Sequence, residues 1–226
     1  MLGEQMRGLL TCTRCDRLRR CMDELPPKKG YDRADYWNRP VPGFGDPRAR
    51  VFLVGLAPGA HGANRTGRPF TGDGAGDFMY PLLHQAGFAN QDEATHRDDG
   101  LALHDLYISN AVKCLPPQNK PTADEFACCR PYLAEELTSL PCLKVVILLG
   151  QGAFVSFLKH LVEEGVIDRA SRYPFAHGAV YRPEGAPVLV ASYHTSRYNV
   201  QTGRITSDMF LQLLSRVREL VAGENG

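Results

Sequence analysis

No stretch of the 226 residues approaches the roughly 20 consecutive apolar side chains that a membrane-spanning helix requires. The opening segment, MLGEQMRGLLTCTRC, also lacks the long apolar run and small-residue cleavage site of a secretory signal. A cytoplasmic protein with no membrane partner is therefore expected. Net charge is scarce as well: the formal value of +1 excludes a chain held to its partner by overall charge alone. No internal repeat is visible, which excludes solenoids and propellers.

What is present suits an ordinary globular chain. Residues of the hydrophobic set make up 43%, and 16 prolines are spread throughout, so a sizeable core is possible and a disordered tail is not. The charge is uneven: arginine supplies 20 of the 26 basic residues, and Arg7, Arg14, Arg17, Arg19 and Arg20 cluster against a single acid, Asp16. Arginine forks suit phosphate oxygens, so this segment is either a local anion-binding face or a solvated surface helix.

Seven cysteines, an odd number without a secretory signal, argue against a disulfide framework. Cys12 and Cys15 form a C-x-x-C pair, and Cys114 with Cys128 or Cys129 offers a second pair. Four thiolates so placed would close a loop of about 100 residues. Spacing alone leaves zinc and iron–sulfur equally open. Cys21 and Cys142 read as small buried residues.

Residues 22–50 are rich in Pro, Gly and charge and predict a long surface excursion with one helical turn. Short apolar runs at 51–54, 106–112, 144–149 and 188–192 predict buried strands. Helices are expected over 75–87, from the capping box at Thr122 and Glu125 toward Leu137, over 153–162, and over 206–221. Buried strands alternating with helices imply one α/β domain over 1–226, a three-layer αβα sandwich with a central four-stranded parallel sheet. Ligands of such folds sit beyond the carboxyl ends of the strands.

The first such loop, residues 55–73, is long and glycine-rich, and its N–H groups can hold an anion. It is neither a Walker loop nor a dinucleotide fingerprint, so nucleotide hydrolysis loses support. Phe70 within it either packs on the core or stacks on a flat ligand. Asp73 either activates water or caps the following helix. Asn110 ends a strand with a donor and an acceptor, suited to a base edge or to a turn. His194 follows the last strand and either contacts a ligand or pairs with backbone; Arg197 and Tyr198 join a cation to a ring in a loop that could enter or brace a duplex.

These segments together carry a family pattern. GLAPGAHGANRTGRPFTGD at 55–73, YISNAVKCLPPQNKPT at 107–122, CRPYL at 129–133, ASYHTSRYN at 191–199 and TCTRC at 11–15 closely resemble the iron–sulfur branch of the uracil-DNA glycosylase superfamily, type 5 (type B). The resemblance implies a structural [4Fe-4S] cluster on Cys12, Cys15, Cys114 and Cys129, with the segment 1–50 packed on the domain through it.

It also implies a monofunctional glycosylase that releases uracil and other deaminated bases such as hypoxanthine and leaves an abasic site. The expected partner is DNA carrying a damaged base, double-stranded or single-stranded, met by a monomer. Phe70 and Asn110 would then hold the extruded base, with the backbone of Ala57, Gly59 and Ala60 and with His194 stabilising its charge. Asp73 would act on water, while Arg197, Tyr198, Asn119 and Lys120 contact DNA. Related type 4 enzymes carry an acid where this chain has Gly62-Ala63-Asn64, which leaves Asp73 as the candidate base. The competing readings are an iron–sulfur redox protein and a zinc-stabilised nucleic-acid-binding module without catalysis.

Overall fold

The computed structural model describes residues 8–223; Arg7 of the basic cluster lies outside them. Four five-residue strands form the centre of the sheet: β2 (Val51–Gly55), β3 (Leu106–Asn110), β4 (Val145–Leu149) and β6 (Val188–Ser192). They run parallel in the order β3-β2-β4-β6. Two antiparallel two-residue strands, β1 (Phe44–Gly45) and β5 (Val180–Tyr181), extend the edges to six. The sheet is therefore mixed, with the expected parallel core inside it.

The near-continuous apolar runs follow from burial on both faces. Val51, Leu53, Ile108, Ile147 and Val190 point to one layer, where they meet Met79, Leu83, Phe210, Leu214 and Val217. Phe52, Val54, Val146, Leu148 and Leu189 point to the other, against Leu133, Phe154, Phe157 and Leu161. The first set of partners comes from α3 (Gly74–Gln85) and α7 (Ser207–Ala222), the second from α4 (Ala123–Thr138) and α5 (Gln151–Glu163). Remaining helices are short: α1 (Asp16–Glu24), α2 (Ala63–Thr66) and α6 (Arg197–Gln201).

The helix signals act as the sequence predicts. Thr122 and Glu125 exchange reciprocal hydrogen bonds at the start of α4, and Thr206 accepts from Met209 N–H at the start of α7. The 22–50 excursion holds a 3₁₀ turn at Arg33–Asp35, the end of α1 and the edge strand β1. Among the described residues no helix is long and apolar enough to cross a membrane.

Because β2 leads to β3 on one side and β4 lies on the other, the carboxyl end of β2 is the point where the strand order reverses. Loops from Gly55, Asn110, Leu149 and Ser192 converge there.

Candidate nucleobase pocket

A cavity of about 700 Å³ opens at this point, a size common for small-molecule sites. Its walls include Ala57, Gly59, Ala60, Phe70, Asp73, Asn110, Asn119, His194 and Arg197. Residues from the loops after β2, β3 and β6 thus share one space. Tyr198 stands beside it and is 72% exposed, the largest value among the exposed large hydrophobic residues. Lys120 is exposed but does not line the cavity; its carbonyl accepts from Arg17.

Phe70 belongs both to the core cluster and to the cavity wall, so the two readings of this ring are not exclusive. Its φ of 52° is unusual for a bulky side chain and persists only where its surroundings over-determine it. They do: Tyr80 donates to Pro69 O at 2.9 Å, Thr66 Oγ1 donates to the carbonyls of Arg68 and Thr71, and buried Arg68 forms two bonds to Asp99. A Cβ on Gly76 would stand 1.8 Å from Phe70 O, so the helix start must be glycine for the ring's backbone to dock. The ring lies 6.3 Å from that of His194, tilted by 41°.

Asn110 is 3% exposed, and its Oδ1 has no hydrogen-bond partner. An acceptor left empty in a buried site costs about 1–3 kcal/mol, so its retention points to an absent donor. A Cβ on Gly55 would meet that Oδ1 at 2.4 Å and the Phe70 ring at 2.5 Å, which shows that amide and ring face each other across the strand end.

Asp73 is the N-cap of α3, with Oδ1 accepting from Ala75 and Gly76 N–H at 3.1 Å each. The cap reading accounts for one oxygen only. Oδ2 turns toward the first loop, 2.0 Å from where a Gly62 Cβ would be and 3.0 Å from that of Gly59. Burial raises its pKa above the usual carboxylate value against the opposing pull of the two N–H bonds.

His194 is half-buried, and desolvation lowers its pKa to about 4, so the imidazole is neutral at pH 7. Its carbonyl accepts from Asn199 Nδ2 at 2.8 Å, which anchors the loop. Arg197 reaches back over Gly74, 3.1 Å from the Cβ position there, and its charge favours ionised Asp73. Gln118 and Asn119, both at positive φ, shape the rim.

The sequence reading gave no role to Lys28, Tyr36 or His61, yet Lys28 and His61 line the cavity. A histidine inside the glycine-rich loop was the available signal; Tyr36, which bonds to it, carried none.

The cysteines require a correction. Among the described residues no group of three or more His, Cys, Asp or Glu could hold a metal ion, so the expected [4Fe-4S] cluster on Cys12, Cys15, Cys114 and Cys129 is not supported, nor is the zinc alternative. The cysteines are spatial neighbours, as expected, but they are packed as apolar side chains. Cys15, Cys114 and Cys129 lie with Leu18, Met22, Val112 and Leu115, while Cys12 packs on Leu9 and Tyr132. Burial, then the nearby thiols, pushes Cys15 up to about 12 and Cys114 higher still, so both are protonated as placed. The N-terminal segment is held by this apolar packing and by Arg17, which pairs with Glu125 at 2.8 Å.

A pocket at the strand ends, walled by a buried amide, an aromatic ring and a capping carboxylate, marks the candidate site of an α/β protein. The chain belongs to the uracil DNA glycosylase superfamily, whose sequence model matches residues 42–218, and within it to the type-5 uracil-DNA glycosylases. It is 49% identical over 216 residues to the type-5 uracil-DNA glycosylase of Thermus thermophilus, covering 95% of this chain and 96% of that one. The type-5 enzyme of Pyrobaculum aerophilum is 42% identical over 208 residues, 92% of this chain and 88% of that one. A type-4 uracil-DNA glycosylase of Sulfurisphaera tokodaii matches at 31% over 137 residues, 60% of this chain and 56% of that one.

Proposed function

We propose that this protein hydrolyses the N-glycosidic bond of uracil in DNA and leaves an abasic site, without cutting the strand. The observation that carries this reading is the unpartnered, buried Oδ1 of Asn110 facing Phe70. Uracil presents an N–H beside a carbonyl, which an amide matches with its Oδ1 and Nδ2. Hypoxanthine presents the same pair on its six-membered ring, so deaminated purines are substrates in this proposal too.

The lesion swings out of the duplex at a cost of a few kcal/mol, less where its pairing is already weak. Phe70 stacks on the extruded ring. As the glycosidic bond lengthens, negative charge grows on the base and positive charge on the sugar. The N–H groups of Ala57, Gly59 and Ala60 and an N–H of neutral His194 face the first of these charges. Asp73, through its Oδ2, orients water toward the anomeric carbon, takes its proton and stabilises the second. Arg197 and Tyr198 brace the duplex at the vacated position, and Asn119 and Lys120 approach the strand.

The test is base release from duplexes that carry uracil, hypoxanthine or no lesion, with alkali applied afterwards to reveal abasic sites. Release from the lesion duplexes alone is expected. No release from either would overturn the proposal.

A further inference from the structure

His61 is fixed more firmly than a passive wall residue needs to be. Its Nδ1 lies 2.7 Å from the hydroxyl of buried Tyr36, with the two rings edge to face at 88°. That hydroxyl also accepts from Lys28 N–H at 3.0 Å. From the other side, Arg65 Nε donates to His61 O at 3.0 Å, while its guanidinium stacks on Tyr31 at 4.4 Å. Assigned as the donor to Nδ1, with a lone pair already engaged by the backbone N–H, the Tyr36 hydroxyl would place the imidazole proton on Nε2. Ring and backbone are thereby locked, with one donor unspent in the cavity wall.

The location says what that donor meets. His61 precedes Gly62, whose Cβ position is 2.0 Å from Asp73 Oδ2, so it belongs to the sugar end of the pocket. The base edge is met by Asn110 and Phe70 at the end of β2. Lys28 and Asn119 line the same cavity, which adds a cation and an amide. The charged group nearest the sugar of an extruded nucleotide is its own backbone phosphate. We propose that His61, oriented by Tyr36, donates from Nε2 to a phosphate flanking the extruded nucleotide, with Lys28 beside it. Tyr36 is a positioning residue, acting through His61.

The inference rests on the glycosylase reading, and two separate measurements keep the failures apart. Base release by the unaltered protein tests that reading. Affinity for a duplex carrying a tetrahydrofuran abasic analogue, which has the phosphates but no base, tests this one. His61→Ala should weaken that affinity by about tenfold to a hundredfold, the loss of a hydrogen bond to a charged group. Cleavage at saturating protein should change by less than about threefold, since the contact is made equally before and in the transition state.

His61→Gln, which places an amide N–H near the Nε2 position, should recover part of the affinity, and Tyr36→Phe should lose a smaller share of it. Lys28→Ala should lower the salt slope of binding by about one phosphate's worth, whereas the His61 variants leave the slope as it was. Unchanged affinity in His61→Ala would overturn the proposal. So would a loss confined to the cleavage step, which would place His61 on the base. Equal losses in both that Gln fails to restore would make His61 a structural prop and likewise overturn it.

Discussion

Replacing Asn110 by alanine removes the one buried acceptor in the pocket that has no partner in the protein. If the amide serves the base edge with both of its groups, the variant forfeits two hydrogen bonds of about 1–1.5 kcal/mol each. Together they amount to about 2–3 kcal/mol, or roughly 30- to 150-fold at 1.4 kcal/mol per decade. The figure is a lower bound, because the N–H and carbonyl of the base would be enclosed without partners. Single-turnover release of uracil, with protein in excess of duplex, reads this loss directly. A loss below about fivefold would refute the assignment, provided that the thermal midpoint shows a folded variant. A duplex with N3-methyluracil supplies the cross-check. The unaltered protein should discriminate strongly against it, and Asn110→Ala should discriminate much less, since the acceptor that demands the N–H is gone.

Gly62→Ala places a Cβ 2.0 Å from Asp73 Oδ2, so either the loop or the carboxylate must shift; an activity loss of about 100-fold or more is expected in the single-turnover assay, in line with a 1 Å misplacement of a reacting group. The pH profile of cleavage should fall on the acid side as Asp73 protonates, at a pH above that of an ordinary aspartate, and Asp73→Asn should remove this limb along with most of the activity. No loss should occur as pH rises through 6 to 7, because His194, with its pKa lowered to about 4, is already neutral there. For the same residue the unfolded state takes up its proton first, so stability contributed by His194 is present above about 6.5 and is lost as pH falls toward 4, which urea melts at several pH values would detect. Glu136→Ala leaves Lys113 buried without its 2.5 Å partner, the two being 1% and 0% exposed, and should cost about 3–5 kcal/mol in a urea melt, whereas Lys113→Met with Glu136→Leu should cost far less.

The parallel core was legible because each of its strands is buried on both faces and therefore written as an unbroken apolar run. The capping boxes and terminal caps were legible because they depend on contacts three residues apart. The edge strands Phe44–Gly45 and Val180–Tyr181 were not, since two residues hold no period and their pairing is set by β3 and β6. The site was legible to the extent that it follows strand ends: Phe70, Asp73, Asn110 and His194 do share one cavity. The Tyr36–His61 bond spans 25 residues and joins an irregular excursion to a loop, so no local spacing announces it. With the cysteines, spacing was misleading. A C-x-x-C pair brings two thiols near each other whether they ligate or simply pack, and what surrounds Cys114 and Cys129 is apolar.

The glycines of the first loop take on a different meaning once their neighbours are known. In sequence they suggested a backbone laid open to a ligand. In the structure, a Cβ at Gly55 would strike Asn110 and Phe70, one at Gly62 would strike Asp73, and one at Gly76 would strike the Phe70 carbonyl. At Gly55 and Gly62 the close approach is made by the side chains of the pocket wall, and at Gly76 by the backbone that carries one of them. Each missing Cβ lets a polar or aromatic group seat against backbone, where it has little room to turn. Orientation is thereby settled during folding rather than during base capture, so less ordering remains to be done when the nucleotide arrives. The same tightness explains why Oδ1 of Asn110 cannot relieve itself by turning to a neighbour: with Gly55 beneath it and the Phe70 ring opposite, the partner must come from outside.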